Sequence, residues 1–280
     1  MTIKRIKNKL IRTFFDEQWS ILVCNKKGEI LIHIAPPKDR FWADPFPVEY
    51  NNKIFIFLEQ QIGSGNGTVG FIELYPDLQY SDYIPILEKP YHLSYPAVFN
   101  HKEEWYLVPE SHDNKTIDLY KAAKFPTTWD HAITLINNID ANDSTLFFYD
   151  STWWLFTSIG TKNSHANTNL SLFYSSVLLS NNWIPHPQNP VCKGLTNSRM
   201  AGNIICKNGK LFRPAQNCRQ NYGKETNINE ILELTKTKYK EKMIKTIKPE
   251  NNYKAVCTHT INLTENFILR DIKTRKLKAF

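Results

Sequence analysis

Along most of the chain, apolar residues come in short alternating or continuous bursts, cut by turns of Asn, Asp, Gly and Lys. That is the pattern of an all-β protein. Helical spacing is confined to two places. Ile3, Ile6, Leu10, Ile11 and Phe14 recur at helical intervals among lysines and arginines, which predicts a short basic amphipathic helix. Weaker helical periodicity runs from about Asn229 to Tyr239.

Within the β pattern there is a repeat. Asp44 to Phe55 (DPFPVEYNNKIF), Tyr95 to Tyr106 (YPAVFNHKEEWY), Asp143 to Trp154 (DSTLFFYDSTWW) and Ala201 to Phe212 (AGNIICKNGKLF) each read as an apolar strand, a polar turn and a second apolar strand. The turns fall at Asn51-Asn52, Lys102-Glu103, Asp150-Ser151 and Asn208-Gly209, at nearly the same offset in each copy. A looser fifth copy runs from His259 to Leu269, and successive copies start 51, 48, 58 and 58 residues apart. A period of this size holds two hairpins, which is one propeller blade. The prediction is an all-β, five-bladed β-propeller of four-stranded antiparallel blades over residues 19–280, preceded by a basic N-terminal extension over residues 1–18 that carries the short helix.

The repeat gives the polar residues an address. In a propeller, the start of each innermost strand and the end of the strand beside it share one rim of the central channel. The starts are Asp44, Tyr95, Asp143, Ala201 (with Arg199 just before it) and His259; fifteen residues beyond the first four lie Glu59, Glu110, Ser158 and Gln216. Asp44, Glu59, Glu110 and Asp143 are thereby expected around one opening, with Arg199, Arg213, Gln216 and His259 opposite. Crowded carboxylates disfavour one another's charge, so at least one should have a raised pKa unless an arginine or a metal intervenes. A protonated carboxyl beside an ionised one is the equipment of glycoside cleavage. Trp42 and Tyr95, at the entry to inner strands, are the aromatics placed to stack on a sugar ring.

Bulk properties narrow the choices. The 280 residues are 41% hydrophobic and 13% aromatic, enough for a large core and too apolar for disorder. The net charge of +8 is concentrated near the two ends, outside the aromatic repeats, and no nucleic-acid-binding motif is present, so no nucleic-acid partner is expected. Peripheral membrane contact through the basic N-terminus fits the same charge. Five scattered cysteines without CxxC spacing predict neither a zinc site nor a disulfide framework; a reducing, cytoplasmic setting, with the inner membrane surface close by, is the expectation. No metal and no cofactor is expected, since no ligand spacing calls for one.

The runs WADPFPV, His92 to Ser111, Ile117 to Trp129, Asp143 to Phe156, WIPHPQNPV, SRMAGN and Leu211 to Gly223 together resemble the propeller domain at the N-terminus of plant glucosamine inositolphosphorylceramide transferases. Related bacterial proteins accompany sugar formyltransferases and surface-polysaccharide enzymes. More distantly the chain resembles the arabinanase, β-xylosidase and invertase propellers. That resemblance implies Asp44 as base or nucleophile, Glu110 as acid and Asp143 as the third, pKa-tuning carboxylate. Two features depart from the hydrolase pattern: the carboxylates run Asp, Glu, Asp along the chain, and the second blade opens on Tyr95-Pro96.

The function implied is a carbohydrate-active protein of surface-polysaccharide or glycoconjugate metabolism that cleaves or transfers a glycosyl group. The alternative is a non-catalytic glycan-binding module assisting a glycosyltransferase or formyltransferase. In either, the ligand is a carbohydrate, a sugar phosphate or a nucleotide sugar. Trp42, Glu59, Tyr95, Arg199, Arg213, Gln216 and His259 line its site, and the arginines favour an acidic ligand.

Overall fold

The computed structural model describes residues 14–160 and 166–278. The expected N-terminal helix falls almost wholly on residues 1–13, outside the described ones. The described residues form twenty-three strands in chain order: β1 Phe15–Asn25, β2 Ile30–Ile34, β3 Arg40–Tyr50, β4 Lys53–Ile62, β5 Gly67–Leu74, β6 Ile84–Leu87, β7 Ser94–His101, β8 Glu104–Glu110, β9 Thr116–Lys124, β10 Thr128–Asn137, β11 Ala141–Tyr149, β12 Thr152–Ile159, β13 Asn169–Ser175, β14 Ile184–Pro185, β15 Cys192–Lys193, β16 Arg199–Met200, β17 Ile205–Lys207, β18 Lys210–Asn217, β19 Glu225–Leu234, β20 Tyr239–Ile247, β21 Ala255–Cys257, β22 Ile261–Leu263 and β23 Phe267–Leu277.

These make five antiparallel sheets, the blades of a five-bladed propeller. Blade one is β3-β4-β5-β6, blade two β7-β8-β9-β10 and blade three β11-β12-β13 with β14 and β15. Blade four has its inner strand split into β16 and β17, followed by β18-β19-β20. Blade five is assembled from both ends of the chain: β21 and β22 inside, then β23, then β1 and β2. All eleven residues of β1 pair with β23, from Phe15 opposite Leu277 to Asn25 opposite Phe267, so the ring is closed by backbone hydrogen bonds.

The four predicted turns are the two-residue loops joining each inner strand to its neighbour. Both loop residues have positive φ in each: Asn51 and Asn52, Lys102 and Glu103, Asp150 and Ser151, Asn208 and Gly209. This is the type I′ geometry, whose twist matches that of the flanking strands. The helical expectation over residues 229–239 is wrong. β19 runs through residue 234 between β18 and β20, and the chain turns back through Thr235–Lys238. Pairing on both edges overrides a weak local period there.

The core lies in the seams between blades. Phe46, Phe57 and Phe71 of blade one pack in one cluster with Leu107, Tyr120 and Trp129 of blade two, and that cluster continues through Trp154 and Phe156 into blade four. Ile21, Val23 and Leu269 of blade five close on Trp42, Ile56 and Leu58 of blade one. A fully buried side chain of this size contributes about 1.5–3 kcal/mol by leaving water, so the seams are the main source of stability.

Lys102-Glu103 is the I′ turn whose residues least suit positive φ. Glu103→Gly should therefore stabilise the protein by about 0.5–1 kcal/mol. Urea unfolding would show a higher midpoint at unchanged slope.

Candidate functional site

The inner strands of blades one, two and three begin with the same irregularity. The register slips between Ala43 and Phe46, between Ser94 and Ala97, and between Asn142 and Thr145. At each slip one residue is left-handed: Asp44 at φ 52°, Tyr95 at φ 45° and Asp143 at φ 52°. A bulge of this kind turns a side chain out of the strand's alternation, and the strained conformation persists because three adjacent sheets fix it. Pro45 and Pro96 are tolerated because a bulge position owes no ladder hydrogen bond. Beside the bulges, Glu59 pairs with Ala43, Glu110 with Ser94 and Ser158 with Asn142, and in blade four Gln216 pairs with Arg199.

Blade-to-blade bonds join this rim. The Asp143 amide donates to Glu110 Oε2 at 2.9 Å, and the Asp44 amide donates to Asp271 Oδ2 at 3.2 Å. In both cases an acid on one blade's second strand accepts the N–H of the next blade's bulge. Asp271 also accepts from the His259 and Thr260 amides at 2.8 and 3.0 Å, and its Oδ2 lies 2.6 Å from His259 Nδ1. Thr260 Oγ1 donates to Asp44 Oδ1 at 2.5 Å.

Arg199 is the centre of the other half. Its Nε and Nη2 donate to the two Asp143 oxygens at 2.5 and 3.1 Å, and Nη2 also reaches Glu110 Oε2 at 3.1 Å. Gln216 Nε2 adds a bond to Asp143 Oδ2 at 2.8 Å. Asp143, Glu110 and Arg199 are all buried. Burial pushes Glu110 up, but Arg199, His112 (Nδ1 to Oε1, 3.2 Å) and the bond from Asp143 outweigh it and hold the carboxyl well below the usual carboxylate range. Burial raises Asp143 against the pull of Arg199, and the neighbouring Glu110 charge adds to the rise. Glu110 is thus the ionised member of the pair, the reverse of what a general acid requires.

The remaining acids behave differently. Burial lifts Glu59 to about 7 against the pull of His92, whose Nε2 lies 3.2 Å from Glu59 Oε1. His92 Nδ1 accepts the Gly67 amide at 2.9 Å, so its other nitrogen is the one that donates to Glu59. Burial raises Asp44 too, opposed by His259 and reinforced by Asp271. For His259, burial works against the charge, but Asp271 and then Asp44 raise its pKa above the ordinary value. Asp44, His259 and Asp271 offer ligand atoms within 4.8 Å of one another and are the group that could hold a metal ion among the described residues. The His259–Asp271 ion pair already satisfies that charge without one.

Of the residues expected at the mouth, Asp44, Glu59, Glu110, Asp143, Arg199, Gln216 and His259 are brought into this network. Three expectations need correction. Trp42 is buried between blades five and one, and its Nε1 donates to Gln60 Oε1 at 3.0 Å. Tyr95 is wholly buried, and its hydroxyl bonds Thr145 Oγ1 and the backbone of Gly202. Neither offers a face for stacking. Arg213 lies inside blade four, held at 2.8 and 2.6 Å by Glu241 and bonded to the Asn197 carbonyl; it has no charge to spare for a ligand. Sequence reasoning missed Asp271, because the fifth hairpin is three residues shorter and the offset of fifteen from His259 lands on Thr274. It also missed Tyr222, whose ring packs on the Arg199 guanidinium at 5.2 Å.

The chain is a five-bladed propeller with a buried cluster of carboxyls where its inner strands begin, and several solved proteins share its fold. The chain resembles Cellvibrio cellulosa α-L-arabinanase, solved with arabinohexaose, with a TM-score of 0.52 at 13% identity over 72% of this chain and 77% of that one. It also resembles exo-β-1,3-galactanase from Phanerochaete chrysosporium, solved with galactose, with a TM-score of 0.53 at 11% identity over 68% and 47%. These likenesses are of fold. The family described as "Glucosamine inositolphosphorylceramide transferase 1, N-terminal" matches residues 21–266, and the chain belongs to it.

Proteins named Glucosamine inositolphosphorylceramide transferase 1 are 34% identical over 206 residues in Oryza sativa subsp. japonica and 31% over 209 in Arabidopsis thaliana. Each match takes in 72% of this chain and 27% of the relative, so the chain spans about a quarter of these relatives' length. They are plant proteins and lend no support to the bacterial, cytoplasmic setting expected from the sequence. Among the described residues no helix is long and apolar enough to cross a membrane.

Arg199→Met leaves two buried carboxyls without their cation and should destabilise the fold by about 3–5 kcal/mol near neutral pH. Without the guanidinium both carboxyls take up protons more readily in the folded state than in the unfolded chain. The deficit should therefore shrink as pH falls from 8 to 5, as measured by urea denaturation. Glu59 titrates the same way in the wild type. Its raised pKa contributes stability below its ordinary value of 4.5 that is lost as pH rises through about 7, so Glu59→Gln should flatten the melting temperature over that interval.

Proposed function

We propose that this chain is a carbohydrate-binding propeller of glycoconjugate assembly, holding a sugar at the channel mouth for a glycosyl-transferring partner. One observation carries the reading: Arg199 ties up Asp143 and Glu110 together. The carboxyl expected to donate a proton and the one expected to tune its pKa are both committed to a guanidinium, and the first is held ionised. Carboxylates fixed in this way are good acceptors for sugar hydroxyls and poor proton donors.

Charge balance narrows the ligand. Asp44, Glu59, Glu110, Asp143 and Asp271 face Arg199 and the imidazoles of His259, His92 and His112, with Arg213 spent on Glu241. Each of these cations already has a carboxyl partner: Arg199 has Asp143 and Glu110, His259 has Asp271, His92 has Glu59 and His112 has Glu110. A neutral or amine-bearing sugar suits this field, and an acidic sugar or sugar phosphate does not. The relatives' name includes glucosamine, an amine-bearing sugar.

A cleaving or transferring enzyme has one observation in its favour. Burial lifts Glu59 to about 7, which would let it serve as the acid in place of Glu110.

A printed array of neutral, amine-bearing and acidic oligosaccharides separates the readings. The binding reading predicts retention of neutral or amine-bearing glycans, weaker retention of acidic ones and no release of reducing sugar. Glu110→Gln and Asp44→Asn should each weaken binding by about tenfold. Release of reducing sugar by the wild type and its loss in Glu59→Gln would establish catalysis instead.

A further inference from the structure

Between β18 and β19, residues 218–224 form a loop at the mouth that is tied down at several points. The Cys218 amide donates to the Leu195 carbonyl at 2.7 Å, and the Lys224 amide to the Asn217 carbonyl at 3.1 Å. The Gly223 carbonyl accepts the Thr258 amide at 3.1 Å, and the Gly223 amide meets Cys218 Sγ at 3.4 Å. Gly223 presses directly on His259: with φ at +60°, a Cβ there would stand 2.6 Å from that residue's own Cβ. The loop's position therefore requires glycine, and the residue before it is held by backbone geometry.

That residue is Tyr222. Its ring stands perpendicular to the His259 imidazole with centroids 5.4 Å apart, and the Arg199 guanidinium carbon lies 5.2 Å from its centre. His259 in turn stacks on Trp19 at 4.0 Å and 16°. Tyr222 is thus braced by the two cationic groups that organise the two halves of the mouth, in cation–π and edge contacts. Trp19, Trp42 and Tyr95 are 8%, 4% and 0% exposed, whereas Tyr222 is 41% exposed. It is the one of these four aromatic residues with substantial surface open to solvent.

We propose that Tyr222 is the platform of the mouth, on whose free face the apolar side of a pyranose ring lies while the sugar's hydroxyls reach the carboxylates behind it. The proposal rests on the carbohydrate-binding reading and adds the residue that orients the ligand. A tyrosine suits this role because it supplies broad contact area at small cost in conformational entropy. The tied loop lowers that cost further, since the ring is placed before the ligand arrives. Tyr222 is a positioning residue, and no proton transfer is asked of it.

The test compares the wild type with Tyr222→Ala, Tyr222→Leu and Tyr222→Phe on the same neutral and amine-bearing array, with calorimetry on the glycan the wild type retains best. Phe keeps the ring, while Leu keeps bulk without it and guards against a loop that fails to fold when emptied. The expected result is a loss of about tenfold or more in both Ala and Leu, with Phe within about threefold of the wild type. Wild-type affinity in Ala or Leu would overturn the platform and leave the glycan reading standing. A loss in Phe as large as in Ala would overturn it in favour of a hydroxyl contact. A wild type that retains no glycan would end both.

Discussion

Arg199 is the constraint on which the mouth depends. One guanidinium, buried at the start of blade four, joins a carboxylate from blade three to one from blade two. It also supports Tyr222 from below. Two carboxylates do not stay buried side by side unless a cation compensates them, and the low dielectric that makes their isolation costly makes the compensated arrangement rigid. Closure of the ring and the character of the site are therefore one arrangement. The side chain that lets three blades meet is also the one that keeps Glu110 ionised and so turns a hydrolase-like set of acids toward recognition.

The other half of the mouth obeys the same logic with a different cation. His259 sits between Asp271, Asp44, Trp19 and Tyr222. Trp19 lies on β1, which reaches blade five only because both ends of the chain share that sheet. Closing the ring thus builds part of the site. The bulges at Asp44 and Asp143 repeat one solution, in which a left-handed residue offers its amide to the acid of the preceding blade. The Asp-Pro at the start of blade one is a structural joint as well as a source of a carboxylate.

Much of this was legible in the chain. Four hairpins with equal offsets could be read as blades, and the offset of fifteen found Glu59, Glu110 and Gln216 because strands beginning at one rim return to it after equal lengths. Where the lengths differ the count fails, which is why Asp271, on the shortened fifth hairpin, went unseen. Strand parity held more than was taken from it. Arg213 is three residues before Gln216 and so points to the other side of β18, into blade four. Trp42 pairs with Gln60 and shares its face, opposite to that of Ala43 and Glu59. Tyr95 could not be read this way, because a bulge breaks the alternation on which parity rests. Tyr222 was hidden for a third reason: loop residues carry no periodicity, and only the fold places it over Arg199.

The sharpest test of this account is the protonation state of Glu110. A carbon-detected NMR titration of side-chain carboxyls, assigned with Glu110→Gln, would follow it directly. The Glu110 signal is expected to stay at its ionised shift from pH 8 down to about pH 4, where an ordinary glutamate is already titrating. A midpoint at or above about pH 5 would mean that Glu110 carries a proton it can donate, and the carbohydrate-binding account would give way to a catalytic one.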